Sequence, residues 1–550
     1  MKKFLLIFST ILILFFVNNL AIGQNKTTTK ENLPSRMYSL EKNSIDKITI
    51  QPLAKSYISN ITSQNEKDGT AYKVASSLSV DLTTENSGSW DYLENGAKIW
   101  RIKLSSEGAK AAVLLFDWFD LPDKAKMFVY CDNSDIVLGP YTFENNPSGE
   151  EYAIGIIPSQ DVYIEYYVNS QNAKSIRPHF KISSYDYFFR GEAMFDENAK
   201  ANEYNNSENC EVNINCPEGA NWQTQKKGVC KYYIDNGICS GTLVNNTSND
   251  GTPYVLSANH CGGNISASKF NQCVFFFNYE SPGCSNSYVA PQTTFTGCTK
   301  KSTGAVSGGT DFLLVQLNNA TALQIKNANL VYNGWDKSGT ASPNGVSIHH
   351  PAGDNKKIST YTSTLTTSTF NSSSSNKHWL ANWVQTQTNY GVTEGGSSGS
   401  PLFNNNGLVV GTLSGGSSSC TTSTSNKNDL YGKFSEHWSN SVNGSGNGAK
   451  LQPWLDPNST GANTCPYYDP NSVTANFSGT PTTVNVGGTV QFTDNSIIQG
   501  TGITRSWIFA GGTPGTSTAT NPTVTYNTAG TYYVSLTVSS SAGSNTKTIT

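Results

Sequence analysis

Six histidines occur in the chain, His179, His260, His349, His350, His378 and His437, and one of them stands where a general base would be useful. His260 closes the run Tyr254-Val255-Leu256-Ser257-Ala258-Asn259-His260-Cys261, an apolar strand entering a turn of small residues. Cys261 can tether that turn to an earlier strand, and Cys239, just before Ser240-Gly241-Thr242-Leu243-Val244, is the natural partner for the tether. No second pair of residues at metal-ligand spacing accompanies His260, so neither a metal nor a cofactor is expected.

A nucleophile for such a base lies far downstream in Gly395-Gly396-Ser397-Ser398-Gly399-Ser400-Pro401, with Ser398 at its centre. Glycines on both sides allow the tight backbone that turns amide N–H groups inward, here those of Gly396 and Ser398, toward a developing oxyanion. Leu402-Phe403, a turn at Asn404-Asn405-Asn406-Gly407 and Leu408-Val409-Val410-Gly411 read as strand, hairpin and strand that would hold the loop rigid. A third member should be a carboxylate at a strand edge. Asp311 fits, at the mouth of Phe312-Leu313-Leu314-Val315-Gln316-Leu317, where it could accept the Nδ1–H of His260 and fix the tautomer. Asp336 and Asp354 stand in turn-like surroundings of Gly, Asn and Lys and read as solvated turn caps. The chain order His260, Asp311, Ser398 is that of the chymotrypsin-like arrangement, not that of hydrolases whose serine elbow comes first. Together these residues describe acyl transfer through a serine nucleophile.

The elements that must position them belong to a multidomain, β-rich chain. At roughly 150 residues per domain, 550 residues allow three or four domains. Charged residues make up only 14 %, the net charge is -3, and Gly is abundant at 48, which excludes a nucleic-acid binder working through a basic face. Lys2 and Lys3 precede an apolar run from Phe4 to Val17, and Ala21-Ile22-Gly23 places small residues before Gln24, so residues 1–23 read as a cleaved signal peptide. The run stops at Asn18-Asn19, short of the about 20 residues that a membrane span needs. The product is expected to be secreted, without a membrane span.

Residues 24 to about 85 are polar and weakly patterned and read as a leader. From Lys98 short strands follow, Ile99 to Leu104, Ala111 to Phe119, Met127 to Tyr130, Tyr152 to Ile157 and Val162 to Val168, as a β-sandwich ending near Tyr187. Glu192 to Asn209 reads as an exposed linker. Between Cys210 and Pro457, strand-like runs with few helix patterns fit two packed β-barrels. After Cys465, alternating strands around Val484 to Phe492, Thr504 to Phe509, Thr523 to Tyr526 and Tyr532 to Val538 make a small immunoglobulin-like sandwich whose last strand is cut short at Thr550. The expected layout is residues 1–23 signal peptide, 24–200 pro-region, 201–465 catalytic domain and 471–550 terminal sandwich. Eleven cysteines in an exported chain imply disulfides, and removing a pro-region that carries Cys131 leaves an even ten.

Residues 210–457 resemble the lysyl endopeptidases, secreted bacterial serine proteases of the chymotrypsin fold. The resemblance is carried by Cys210 to Gly219, Gly241 to Asn246, Ala258 to Gly262, Thr310 to Leu314, Ile348 to Pro351, Gly391 to Pro401, Ser418 to Cys420 and Trp454 to Pro457. It implies a catalytic triad of His260, Asp311 and Ser398 and disulfides Cys210 to Cys420, Cys216 to Cys284 and Cys239 to Cys261. Cys230, Cys273, Cys298 and Cys465 lie outside those bridges, their pairing open. The position six residues before the nucleophile, where trypsin-like enzymes carry the pocket acid, is Val392, so a trypsin-type pocket is excluded. Asp429 matches the family's pocket aspartate, which holds a lysine ammonium. The chain departs from the family at Ser414, where the resemblance implies a histidine. His349 and His350 match a family motif and are read as structural.

The segment around Ala97 to Val168 is similar to the β-sandwich pro-regions of such proteases. Trp507 to Gly512, Pro522 to Tyr526 and Gly530 to Val538 look like a PKD domain, a spacer or weak binding unit for protein or polysaccharide. The expected fold is therefore all-β, a chymotrypsin-like double β-barrel between a pro-region sandwich and a PKD sandwich. The expected function is endopeptidase cleavage after lysine, on protein or peptide substrates. The alternative is an exported non-catalytic binding protein on a protease fold, and three intact triad positions argue against it. The predicted processing bond is Lys200–Ala201, with Arg190–Gly191 as the competing site.

Overall fold

Alternating apolar and polar residues broken by Gly, Asn and Pro turns produce a chain built almost wholly of antiparallel sheets. The computed structural model describes residues 27–550 except 42–44, 69, 133–135, 172–178, 191–206, 287–292, 371–374, 440–443, 499–500 and 541–542. The predicted signal peptide, the Lys200–Ala201 bond and most of the predicted linker lie outside the described residues.

Two sheets form the N-terminal sandwich, one running through Ile136–Tyr141, Lys126–Tyr130, Asp161–Val168 and Lys98–Ser105, the other through Tyr152–Ile157, Ala111–Phe119, Phe180–Phe188 and Ala75–Leu82. Between them lies one core that includes Trp100, Phe116, Phe119, Tyr152, Tyr166 and Phe180. Ala111–Phe119 and Tyr152–Ile157 have the bounds that the sequence pattern predicts. The leader reading of residues 24–85 needs correction, because Lys55–Asp68 is a helix and Ala75–Leu82 is a full strand of the second sheet. Serines at alternate positions of Ala75-Ser76-Ser77-Leu78-Ser79-Val80-Asp81-Leu82 face outward, which masks a strand whose other face packs on the core.

The catalytic region holds two larger sheets. The first runs Thr293–Thr296, Val274–Phe277, Val229–Ile234, Gly237–Val244, Tyr254–Ser257, Phe312–Leu317, Cys298–Gly304. The second runs Lys357–Tyr361, Gly345–His349, Pro401–Asn404, Val409–Gly416, Asn428–Lys433, His378–Asn382, Thr366–Ser368. Leu256, Phe312 and Leu314 of the first sheet and Ile348, Phe403 and Val409 of the second share a single apolar cluster, which fixes the two halves against each other. The C-terminal region is a pair of small sheets around Trp507, Phe492 and Phe509. The all-β, chymotrypsin-like organisation is thus what the structure has.

A third apolar cluster spans the boundary between the N-terminal sandwich and the catalytic region. It joins Val74, Ala75, Ala111, Val113, Leu115, Ala153, Ile156 and Phe188 to Tyr233, Ile238, Val274 and Phe276. At its centre the Tyr233 hydroxyl donates to the buried Asp186 carboxylate at 2.5 Å.

Candidate active site

Tyr254–Ser257 ends at the turn Asn259–Cys261, and this delivers His260 to the rim between the two sheets. The Cys239–Cys261 bridge ties that turn to the neighbouring Gly237–Val244 strand. Asp311 stands immediately before Phe312–Leu317, which pairs with Tyr254–Ser257 and so brings the carboxylate under the imidazole. His260 Nδ1 lies 2.8 Å from Asp311 Oδ2, and the His260 amide donates to Asp311 Oδ1 at 3.0 Å. Asp311 adopts φ +56°, a left-handed backbone that aims its side chain back at the turn.

The electrostatics follow from that contact. Burial works against charge on His260, but the Asp311 charge and hydrogen bond outweigh it and raise the imidazole above its ordinary 6.5. Burial likewise works against the Asp311 charge. Its contacts with His260 and a hydrogen bond from Ser414 outweigh burial and hold the carboxyl below 3.8.

Ser398 sits in a loop that the rest of the fold presses into shape. Its carbonyl accepts the Ser240 amide at 2.9 Å, which docks it beside the Cys239–Cys261 bridge and hence beside His260. Gly399, at φ +79°, packs so closely that a Cβ would lie 2.0 Å from Ser257 Oγ, so no larger residue fits there. Gly396, at φ +97°, has its carbonyl held by Ser240 Oγ at 2.9 Å. Among the described residues, no hydrogen bond occupies the Ser398 hydroxyl, His260 Nε2, or the Gly396 and Ser398 amides. The hydroxyl and Nε2 are not hydrogen-bonded to each other either.

His349, read from its motif as structural, stiffens this loop from behind, through serine partners that the motif did not indicate. Ser359 Oγ donates to the Val392 carbonyl at 3.0 Å and accepts His349 Nε2–H at 2.8 Å. His349 Nδ1, 2.8 Å away, then accepts the Ser397 hydroxyl, whose oxygen in turn accepts the Glu394 amide at 3.2 Å. Burial lowers His349 to about 3, so the ring is a neutral strut between two serines. His350 is also buried, with Nδ1 2.9 Å from the Asp354 carbonyl. A second strut was hidden: His378 Nε2 lies 3.1 Å from Ser414 Oγ, and Ser414 helps to hold the Asp311 carboxyl down. Ser414, in Leu413-Ser414-Gly415-Gly416, was marked only as a departure from the family's histidine, with nothing pointing to His378. Asp354 corrects its sequence reading, being buried, with Ser207 Oγ at 2.6 Å and Lys357 Nζ at 3.4 Å instead of solvent. Asp336 does cap its turn, accepting the Ser338 amide at 2.8 Å.

Asp429 lies on Asn428–Lys433 opposite Gly416, and Thr393, five residues before Ser398, reaches its carboxylate. It is fully buried, and Oδ2 accepts Trp383 Nε1 at 2.5 Å, Thr393 Oγ1 at 2.7 Å and Ser418 Oγ at 2.6 Å. All three donors are neutral. Among the described residues no lysine or arginine forms an ion pair with it, and the adjacent Lys427 is turned away to the Ser419 and Cys420 carbonyls. Burial raises the Asp429 carboxyl above 3.8, and the hydrogen bonds of Ser418, Trp383 and Thr393 only partly offset this. A Cβ on Gly416 would lie 2.1 Å from Asp429 Oδ1, so glycine keeps the approach to the carboxylate clear.

Three disulfides occur among the described residues, Cys210–Cys420, Cys216–Cys284 and Cys239–Cys261. Cys230, Cys273, Cys298 and Cys465 are buried and unbridged. Cys131 is buried in the N-terminal sandwich.

Residues 204–432 match the family model described as lysyl endopeptidase, C-terminal domain, and residues 474–550 match that of the PKD domain. The resemblance carried by the sequence motifs is borne out for both modules. A lysyl endopeptidase of Pseudomonas aeruginosa is 30 % identical over 207 residues, 36 % of this chain and 41 % of that protein, so the match spans less than half of the relative's length. Among solved structures, Rv3671c from M. tuberculosis in an inactive form is 11 % identical, covering 40 % of this chain and 88 % of that one at a TM-score of 0.26. A Glu endopeptidase is 14 % identical, covering 38 % and 85 % at a TM-score of 0.24.

Proposed function

We propose that this chain, with its lysyl endopeptidase and PKD modules, is a secreted serine endopeptidase that cuts after lysine. Ser398 Oγ attacks the scissile carbonyl while His260 Nε2 takes its proton, and Asp311 holds the imidazole in the correct tautomer and stabilises the imidazolium. The Gly396 and Ser398 amides receive the oxyanion. His260 then gives the proton to the departing amine, and water, activated by the same base, releases the acid and restores Ser398.

The observation that carries the lysine reading is Asp429, a buried carboxylate surrounded by neutral donors and lacking a cation. An entering ammonium would supply the missing charge, and the three side-chain donors keep the acceptor fixed before it arrives. Neighbouring Glu208 and Glu394 do not offer a metal site with Cys420, since that sulfur is committed to a disulfide.

Residues 1–23 are proposed as the signal peptide, 24–200 as a pro-region cut off at Lys200–Ala201, 201–465 as the catalytic domain and 471–550 as a PKD domain that binds protein or polysaccharide weakly. N-terminal sequencing of the secreted protein beside its Ser398→Ala form tests the processing. A start at Ala201 only in the active form means self-cleavage, and a start at Gly191 rejects the linker reading.

Ser398→Ala tests the nucleophile: peptide hydrolysis should fall on the order of 10⁶-fold with the fold intact. A phosphonylating inhibitor should label Ser398 and no other residue. Activity above about one per cent of the parent would refute the assignment.

A further inference from the structure

One strand of the N-terminal region reaches beyond its own sandwich into the catalytic cleft. Tyr72–Lys73 pairs antiparallel with the start of Gly237–Val244, Tyr72 opposite Ile238 and Lys73 opposite Gly237. Ile238 directly precedes Cys239, whose bridge to Cys261 stands beside His260. Ala71 is 3 % exposed and packs in the cluster that contains Cys239 and Cys261. The Tyr72 ring lies against Gly395, next to the oxyanion glycine, so closely that a Cβ on Gly395 would come within 2.5 Å of it.

Chain polarity shows which half of a substrate this strand resembles. With lysine read by Asp429, the acyl half lies on the flank of Ser398 formed by Ser414-Gly415-Gly416, whose Gly416 pairs with Asp429. The leaving half must therefore pass the other flank, by the Cys239–Cys261 bridge. Ala71 is nearest that bridge, and the chain runs from it through Tyr72 and Lys73 away from His260, the direction in which residues following a scissile bond would run. Added-strand pairing is a general way of holding an extended peptide, with backbone bonds for affinity and alternate side chains in pockets.

We propose that Ala71-Tyr72-Lys73 occupies, in the precursor, the part of the cleft that receives the residues after the scissile bond, and so blocks peptides while leaving the lysine recess open. This rests on the proposed serine endopeptidase. The segment is gripped on both sides: Lys73 Nζ donates to the Asp235 carbonyl at 2.6 Å, and the Val74 and Ala75 amides donate to the Asn236 carbonyl at 3.0 and 3.2 Å. The Arg190 guanidinium lies 4.5 Å from the centre of the Tyr72 ring and donates to the Lys73 carbonyl at 3.3 Å. Because Arg190 precedes both proposed processing bonds, a cut in the linker leaves this grip complete. Release then needs separation of the two regions and not the cut alone. The same fit assigns the enzyme a preference for a small residue and then an aromatic one after the bond it cuts.

The test uses the full chain carrying Lys200→Gln, confirmed uncut by mass, with two substrates. One is a lysine ester with a small alcohol leaving group, the other a peptide extending three residues beyond lysine. Relative to the processed, separated enzyme, the uncut chain should hydrolyse the ester at a comparable rate and the peptide far more slowly. Tyr72→Ala in the uncut chain should raise peptide hydrolysis about tenfold or more, the scale of effect when an aromatic anchor is truncated, with the ester unchanged. Tyr72→Phe should keep the block. An unchanged peptide rate in Tyr72→Ala, or peptide and ester rising together, overturns the proposal. Phosphonate labelling of Ser398 in each sample separates the two readings, since failure to label the processed enzyme rejects the nucleophile itself.

Discussion

Two carboxylates lie fully buried on either side of the serine loop, and they are held in opposite ways. Asp311 has a chargeable partner in contact, His260 at 2.8 Å, and its carboxyl is held below the ordinary range. Asp429 has only neutral donors, and its carboxyl is pushed above it. The first charge is compensated within the protein. The second is not, and an unpaired buried anion costs the fold stability that the cation of the proposed substrate would restore. On the proposed function, one sheet region serves reaction and the other selection.

Substitution should separate these roles. Asp311→Asn is expected to lower kcat by about 10⁴ on every substrate, because the imidazole loses the acceptor that fixes its tautomer. A loss confined to lysine peptides would contradict that role. Asp429→Asn should cost lysine peptides two to three and a half decades, from the roughly 3 to 5 kcal/mol of leaving a buried ammonium unpaired at about 1.4 kcal/mol per tenfold. A small ester with no basic side chain should be nearly unaffected. Equal losses on both substrates would mean that Asp429 supports the fold instead of reading the substrate.

Acid should reach the two regions separately. His260 must be neutral to accept a proton, so all activity should fall as pH drops through a value above 6.5, as kcat/KM against pH would show. The ratio of lysine-peptide to neutral-ester activity cancels that shared limb. It should fall only as Asp429 is protonated, through a value above 3.8.

The smallest contrast is in stability. Asp311, depressed when folded, contributes stability that is present above the unfolded carboxylate range and lost as pH falls through its folded value. Asp429, raised when folded, has the opposite sign: its ionised form costs stability, and acid relieves the cost. Thermal melts at neutral pH should therefore place Asp311→Asn below the parent and Asp429→Asn at or above it. A drop for Asp429→Asn as large as for Asp311→Asn would remove the contrast.

How much of this was legible depended on how local each signal was. His260, Asp311 and Ser398 sit in short runs whose glycines, small residues and flanking apolar strands carry their meaning within about ten positions. Asp429 does not: Asn426-Lys427-Asn428-Asp429 reads as an exposed turn, and only the resemblance singled it out, because its buried setting is made by Trp383, Thr393 and Ser418 from other segments. Asp354 misled for the same reason, its polar neighbourhood hiding the contacts from Ser207 and Lys357. His349 and His378 act through serines distant in the chain, and Tyr72 acts through a pairing with Ile238. Periodicity shows which face of a strand is apolar but not which distant strand it will meet.

Digestion of one denatured protein of known sequence tests the serine chemistry and its direction by Asp429 together. The new C-termini read by mass spectrometry should end in lysine, the Asp429→Asn enzyme should lose this preference, and the Ser398→Ala enzyme should yield no new termini. Termini scattered over uncharged residues in the parent digest, or lysine cleavage persisting at the parent rate in Asp429→Asn, would contradict the reading of lysine by Asp429.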